Sequence, residues 1–324
     1  MHVYFDQLNA LLCDTLGINA YIQGVVVIVC FNIIAVLGMS VLTGFTRLFS
    51  FGNAGFMSVG AYATAILCKQ FGMNFILAII LGSLIAGAVA YLLGSITLRL
   101  KGDYFLITCL GFGECVRVLF NYTKNLTGGS AGYVGIPHFS NMTFCLICVV
   151  LAFYIAWRFI HSKYGRNLTA IRENELAAEA VGINTYKTKR MSFTFSAIFA
   201  GWAGALYAGH LMYIVPSAFA LAKSTELITT TVIGGLGSLT GSVMAAIIVT
   251  VLPEVFRSLE TYRMLIYAVA VVAIIMFKPS GLYGYKEFSL KRTIAFWKNL
   301  PANIAAKKAA KAAANSEKEG SKHV

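Results

Sequence analysis

Residues 161–190 read HSKYGRNLTAIRENELAAEAVGINTYKTKR and separate two long apolar runs. The stretch is polar, helix-forming and mixed in charge, with six Lys/Arg against three Glu. An excess of Lys/Arg in a short loop marks the cytoplasmic side of a membrane protein. Small residues at Ala177, Ala178 and Gly182 let the backbone of a partner approach closely. We therefore interpret this stretch, called the coupling block below, as a docking element for a cytoplasmic motor and not as a plain connector.

The composition is that of a polytopic membrane protein. Of 324 residues, 58% are hydrophobic and 12% are charged, with a mean hydropathy of +0.74, whereas soluble domains carry about 25% charged residues. The net charge is +13, and nine Lys/Arg fall in residues 285–324. Anionic lipid accounts for this basic charge, and without an aromatic-basic motif we expect no nucleic acid partner. We predict one membrane domain over residues 1–285 and a basic cytoplasmic tail over residues 286–324.

Nine apolar segments are candidates for membrane spans, each of which needs about 20 residues. The sequence therefore predicts an all-α bundle of eight to ten membrane segments. The five stronger candidates are Gly24–Leu42, Phe75–Leu98, Met142–Ile160, Ser192–Val215 and Met264–Phe277. The four weaker ones contain glycine or polar residues and are Gly52–Cys68, Tyr104–Phe120, Thr225–Gly235 and Ser238–Val251. Short or broken helices of this kind are tolerated where they line a cavity or are buried in protein.

The distribution of basic residues predicts the orientation of the spans. Placing Arg47, Arg99 and the coupling block inside puts the N-terminus outside. An inside tail then requires an even number of crossings after Arg190. Four crossings result if residues 225–251 are divided at Gly234–Gly237, although a re-entrant hairpin with a different count elsewhere is the alternative.

Charged residues inside spans are candidates for function. Glu114 and Arg117 are three residues apart and can share a helix face, either as a structural ion pair or along a translocation path. Glu226 begins a short segment and is either interfacial or directed towards a pore. The predicted path residues are Gly52, Asn53, Glu114, Arg117, Glu226, Gly234, Gly235 and Gly237.

Other chemistry is not indicated by the sequence. It has no nucleotide-binding loop with a lysine, so any ATP is used by a partner chain, and we predict no bound cofactor, no metal and no catalytic residue. Repeated intramembrane Asp, Glu or His is absent, which argues against a proton-driven secondary carrier. A membrane scaffold or receptor is the third alternative, and the broken, glycine-rich spans argue against it.

Several short motifs occur in one order along residues 24–285. They are LFSFGNAGF (48–56) with GAY (60–62), LRLKGDY (98–104) with GFGE (111–114), LTGGS (126–130), residues 165–184, residues 234–241, LPE (252–254) and FKPSGLYG (277–284). In this ordered set the chain resembles the permease subunits of bacterial branched-chain amino-acid ABC importers, the LivM type of the LivH/LivM permease family.

The resemblance implies a complex in the bacterial inner membrane. It would contain a second permease subunit of the LivH type, two cytoplasmic ATP-binding subunits and an external solute-binding protein, and would import Leu, Ile or Val. Relatives that carry urea, other amides or other amino acids leave the solute open. The family's coupling pattern is E-A-A-x-x-x-G, and here Leu176 stands at the Glu position. The predicted ATPase-coupling residues are Glu175, Ala177, Ala178, Glu179, Gly182, Ile183 and Asn184.

Overall fold

The computed structural model describes residues 19–100, 102–257, 262–278 and 281–282, and the predicted tail 286–324 lies outside these residues. This described part of the chain contains twelve α-helices. They are α1 Ala20–Thr46, α2 Asn53–Gln70, α3 Phe75–Thr97, α4 Asp103–Tyr122, α5 Lys124–Thr127, α6 Met142–His161, α7 Lys163–Glu173, α8 Glu175–Ala180, α9 Thr185–Leu211, α10 Leu221–Gly234, α11 Leu239–Val255 and α12 Arg263–Phe277. Two 3-10 helices are Gly129–Ala131 and Pro216–Phe219. Two short antiparallel strands, β1 Tyr133–Val134 and β2 Tyr213–Ile214, pair with Tyr133 opposite Ile214.

The predicted all-α membrane bundle is confirmed, and each of the nine predicted segments contains a helix. Four helices, α1, α3, α6 and α9, are long and apolar enough to cross a membrane, while α11 is a shorter apolar helix. The predicted span Ser192–Val215 was wrong at both ends. The helix begins at Thr185, inside the coupling block, and ends at Leu211. It ends there because Met212 is left-handed, with φ of 57°, and the next residues pair with β1.

Helices α1 and α9 form the centre of the bundle. Their side chains are mostly buried, whereas α3 and α6 bury about one third of theirs. Close approach is possible because small residues lie at the crossings, as where Gly60 of α2 meets Gly201 of α9. Exposed leucine and isoleucine side chains cover the outer faces of α3 and α6, as expected for surfaces in contact with lipid tails or other subunits.

The bundle has two ends, which we call the α7 end and the strand end. Helix α1 finishes at the α7 end, where Arg172 Nη1 of α7 donates to Gly44 O at 3.4 Å. The turn between α10 and α11 lies there too, because a Cβ on Gly44 would come within 2.7 Å of Gly237 N. Helix α9 runs from α8 to β2 and therefore connects the α7 end to the strand end.

Helix α10 begins halfway through the bundle. Its Lys223 donates to Asn32 Oδ1 at 3.0 Å, and Asn32 lies near the middle of α1, which is about 40 Å long at 1.5 Å per residue. Helix α2 begins at the same depth, since Ala54 N donates to Ser224 Oγ at 3.0 Å. The segments before both helices are therefore not α-helical inside the bundle, where such backbone is tolerated beside a cavity or within protein.

Candidate functional site

A cavity of about 1070 Å³ adjoins the start of α10 and is bounded by α1, α9, α10, α11 and α12. This volume is at the upper end for small-molecule sites, which measure about 300–1,000 Å³. Most of the lining is apolar and includes Ile28, Phe31, Phe219, Val249 and Val271. A small polar group is set into this wall, as is typical of sites that fix the orientation of a ligand.

The polar group is organised around an ion pair. Lys223 Nζ lies 3.0 Å from both carboxylate oxygens of Glu226, one turn further along α10. The same ammonium donates to Asn32 Oδ1, and Asn32 Nδ2 donates to Thr250 Oγ1 of α11 at 3.1 Å. The Lys223 side chain is 17% exposed and that of Glu226 is 36% exposed. Both charges are thus compensated inside the bundle, while the carboxylate stays reachable from outside the chain.

A second polar group lies at the strand-end rim of the cavity. The hydroxyl of Tyr21, at the start of α1, donates to the carboxylate of Glu254, which also lines the cavity. The guanidinium of Arg257 lies 4.7 Å from the centre of the Tyr21 ring. The positive charge of Arg257 therefore offsets the negative charge of Glu254 at this rim.

The structure brings several predicted path residues to the start of α10. Gly52 packs against α4, where a Cβ would lie 2.7 Å from Cys109 O. Asn53 is buried and accepts a hydrogen bond from Ser196 Oγ at 3.4 Å. Glu114 lines a small crevice together with Leu221 and Ser224 of α10. Gly52, Asn53 and Glu226 therefore lie near the start of α10 in the middle of the bundle, while Glu114 lies on α4 at the crevice on the other side of this start.

Glu114 and Arg117 form an ion pair within α4, at 2.6 Å. The interpretation that they share a helix face is therefore confirmed. Their side chains are 34% and 32% exposed, and the outer face of α4 also exposes Ile107, Val118 and Tyr122. This pair lies outside the cavity, on a surface that another subunit or lipid would cover.

The predicted glycines Gly234, Gly235 and Gly237 lie at the opposite end of α10. They form the turn between α10 and α11, which divides residues 225–251 into two helices as predicted. Gly281 packs against Gly235, and Leu282 N donates to Ile233 O at 2.8 Å. The structure does not bring this turn to the cavity, about 20 Å away along the 14 residues of α10.

The coupling block folds into two helices joined to α9 by defined caps. Asn174 breaks the block and caps α8 by accepting from Ala177 N at 3.1 Å. Helix α8 ends in a Schellman motif, in which Ile183 N donates to Ala178 O at 3.0 Å and Gly182 N to Glu179 O at 2.9 Å. Gly182 has φ of +85°, which favours glycine at this position. Asn184 then caps α9 by accepting from Lys187 N at 2.9 Å.

The acidic residues of the block hold α8 against α9. Glu175 forms an ion pair with Lys189, and Glu179 Oε1 accepts a hydrogen bond from Thr185 Oγ1 at 2.7 Å. Ala178 is 3% exposed and packs inside the chain. The exposed apolar and small residues of α8 and its C-terminal turn are Leu176, Ala177, Ala180, Val181 and Gly182, and the exposed carboxylates of Glu175 and Glu179 lie beside them.

Residues 21–277 match the family described as the permease component of branched-chain amino acid transport systems. The chain belongs to this family. It is thus a multi-pass membrane permease component of an ABC importer. LivM of Escherichia coli K12, a high-affinity branched-chain amino acid transport permease protein, is 33% identical across 80% of this chain and 69% of the relative.

Two archaeal relatives, both from Methanocaldococcus jannaschii, are more distant. A probable LivM is 27% identical across 73% of this chain and 78% of the relative. A probable LivH is 24% identical across 88% and 98%. No solved structure matches the chain.

Sequence reasoning found Glu226 but missed the polar residues bonded around it in this permease's cavity, Asn32, Lys223 and Thr250. Lys223 was overlooked because the apolar segment was predicted to begin at Thr225, two residues after it. The spacing of Lys223 and Glu226 was the available signal, since charges three residues apart on a helix face each other. Asn32 and Thr250 carry no such signal, because each is a single polar residue within an apolar run.

Proposed function

We propose that this chain imports leucine, isoleucine and valine across the inner membrane of a bacterium. It does so with a second permease subunit of the LivH type, two cytoplasmic ATP-binding subunits and a periplasmic or extracellular solute-binding protein. The chain itself acts as a transporter and not as an enzyme, and the partner subunits use the ATP. The match of residues 21–277 to the permease family carries the proposal, and the identity to LivM supports the choice of solute.

The basic residues support a cytoplasmic position for the α7 end. Arg47 follows α1 at this end. Arg99 follows α3, whose Ser95 O accepts a hydrogen bond from Tyr186 at the start of α9, at 2.7 Å. These arginines therefore lie at the same end as the coupling block, in agreement with the preference of Lys/Arg for the cytoplasmic side. The strand end, with Thr127–Gly132, then faces the solute-binding protein.

Helix α8 offers a docking surface to an ATP-binding subunit. Leu176 and Val181 are 79% and 76% exposed, and exposed apolar side chains on a soluble element favour a protein contact. The ion pair of Glu175 with Lys189 links α8 to α9, and Arg172 links α7 to α1. Because α1 and α9 both line the cavity, movement of the docked subunit is transmitted to it through packed helices.

The test of the transport function is uptake of labelled leucine and labelled urea in cells with this gene deleted and then restored. Leucine uptake should need ATP and should survive collapse of the proton gradient while ATP is maintained. Loss of uptake on gradient collapse at constant ATP would favour a secondary carrier. If deletion of the gene leaves leucine uptake unchanged and abolishes urea uptake, the chain would instead belong to an importer of amides.

The test of coupling is a pair of substitutions at Gly182. Gly182→Val places a β-branched residue at a left-handed φ, which costs about 1–2 kcal/mol, whereas Gly182→Asn adopts this conformation more easily. We expect the valine variant to reach the membrane but to lose ATP-driven uptake and co-purification of the ATP-binding subunit. If the two variants take up leucine equally well, the turn at Gly182 has no role in coupling.

A further inference from the structure

We propose that the cavity at the start of α10 binds a zwitterionic α-amino acid, with Lys223 facing the carboxylate of the solute and Glu226 facing its ammonium. This site rests on the proposed function and gives it a place in the structure. Both charged groups line the same cavity, and the Glu226 side chain is 36% exposed. An incoming solute therefore meets one group of each sign.

The balance of charge favours a zwitterion over other solutes. Lys223 and Glu226 neutralise each other within the protein. An α-amino acid can exchange partners with both groups, after which every charge still has a partner of opposite sign. A solute with net charge would leave one buried charge unpaired, which is strongly unfavourable. Urea carries no charged group, so it can hydrogen-bond to both residues but cannot replace the charge of either partner.

The polar neighbours hold Lys223 in position for this exchange. Asn32 Oδ1 accepts from its ammonium at 3.0 Å, and Asn32 is itself fixed by its bond to Thr250. A lysine ammonium has three donors, so one can turn to a carboxylate while Asn32 retains another. The amine of Lys223 thus keeps one protein partner throughout binding.

The backbone adds a second positive element beside Lys223. Helix α10 starts near the middle of α1, and among the described residues no side chain caps its first turn. The N-terminus of a helix carries partial positive charge and free N–H groups, which favour an anionic group. Broken helices that begin near the middle of the membrane commonly direct this end at a substrate carboxylate in transporters.

The apolar wall of the cavity suits a solute with a branched aliphatic side chain. Ile28, Phe31, Phe219, Val249 and Val271 line the cavity beside the polar group. An aliphatic side chain placed against them leaves water without requiring a polar partner. The cavity therefore has a charged end that faces the ammonium and carboxylate of the solute, and an apolar region that faces the side chain of the solute.

The experiment uses the whole importer reconstituted in vesicles with its solute-binding protein and ATP. Glu226→Gln and Lys223→Gln should each lower initial leucine uptake by about tenfold or more, because each leaves one charge without its partner. Co-purification of the ATP-binding subunits should not change. Lys124→Gln, at an exposed lysine of α5, is the matched control and should stay within about twofold.

Binding is measured directly through a cysteine at Thr229, which lines the cavity, in the importer without its other cysteines. Leucine should protect this thiol from alkylation. 4-Methylpentanoate, which lacks the ammonium, and isoamylamine, which lacks the carboxylate, should not. Protection by all three molecules would overturn recognition of a zwitterion.

The outcomes separate failure of the site from failure of the function. Normal leucine uptake by both glutamine variants would overturn the site and leave the importer intact. Absence of leucine uptake by the unaltered complex would overturn the proposed function. The thiol-protection measurement would still show whether leucine binds in the cavity. Phosphatidylethanolamine has a zwitterionic headgroup as well, so protection that depends on this lipid and not on leucine would overturn the amino-acid site.

Discussion

Two ion pairs with the same spacing lie on either side of the start of α10. Lys223 and Glu226 are 3.0 Å apart and face the cavity, whereas Glu114 and Arg117 are 2.6 Å apart on the outer part of α4. The first pair is tied to α1 through Asn32, while the second connects two positions of one helix. Equal spacing therefore gives different roles, and the surroundings of the charges determine which role each pair has.

The difference lies in what remains when one charge is removed. Without Lys223, the carboxylate of Glu226 has no ion-pair partner among the described residues and lies in a mainly apolar cavity. Without Arg117, Glu114 remains about one third exposed at the surface of the chain. The penalty for an unpaired charge grows as water is excluded, so the two pairs should respond unequally to the same substitution.

The largest expected effect is that of Lys223→Met on transport. Leucine uptake by the reconstituted importer should fall by about tenfold or more, because a charge left unpaired in a buried site is strongly destabilising. Arg117→Met removes the cation of the other pair and should lower uptake by about threefold or less, as for a partly exposed pair. Initial rates of labelled leucine uptake, normalised to the amount of assembled complex, measure both.

This comparison fails if Arg117→Met is as damaging as Lys223→Met. The pair on α4 would then belong to the translocation path as directly as the cavity does. Such a result would also indicate that the outer face of α4 meets the second permease subunit around the solute.

Hydrophobic length and charge were enough to predict the helices, but not their depth. Nine segments were found because apolar runs and basic loops are read directly from the sequence. Breaks inside the bundle were expected near Gly52 and at Gly234–Gly237. The structure has an internal break before α2, beside Gly52. It places the Gly234–Gly237 turn at the α7 end, and the second internal break lies at residues 212–220, where Met212 and the pairing of β2 with β1 end α9.

The coupling block shows the same limit. Its helical, polar character was predicted from composition, and Asn174 and Asn184 are typical caps. The burial of Ala178 and the internal partners of Glu175 and Glu179 depend on how α8 packs against α9. Although α8 and α9 are consecutive in the chain, the local residue pattern does not fix the angle at which they pack, so a reading of this stretch alone could not supply these contacts.

A smaller effect is expected from Asn32→Leu, which keeps both charges of the cavity and removes the neutral group that positions Lys223. Leucine uptake should fall by about threefold to tenfold, since Lys223 keeps Glu226 as its partner and loses one hydrogen bond, which contributes about 0.5–1.5 kcal/mol net. The Michaelis constant for leucine uptake should rise by a larger factor than the maximal rate of uptake falls. Thr250→Val, which removes only the partner of Asn32, is the matched control and should have the weaker effect of the two.

An unchanged uptake in Asn32→Leu would show that Glu226 alone positions Lys223. The Lys223–Glu226 pair would then be positioned within its own helix, as the Glu114–Arg117 pair is on α4. The two pairs would differ only in how deeply they are buried.

The smallest effect is expected when the α4 pair is neutralised as a whole. The double variant Glu114→Gln with Arg117→Gln leaves no unpaired charge, and the two amides can still bond to each other three residues apart. The free energy of unfolding should change by less than about 1 kcal/mol, as for partly exposed ion pairs. Thermal unfolding of the purified complex measures this, with the double variant Lys223→Gln and Glu226→Gln beside it. Because the α4 pair links neighbouring turns of one helix, whereas Lys223 joins α10 to α1, a greater loss of stability in the α4 variant would reverse the comparison.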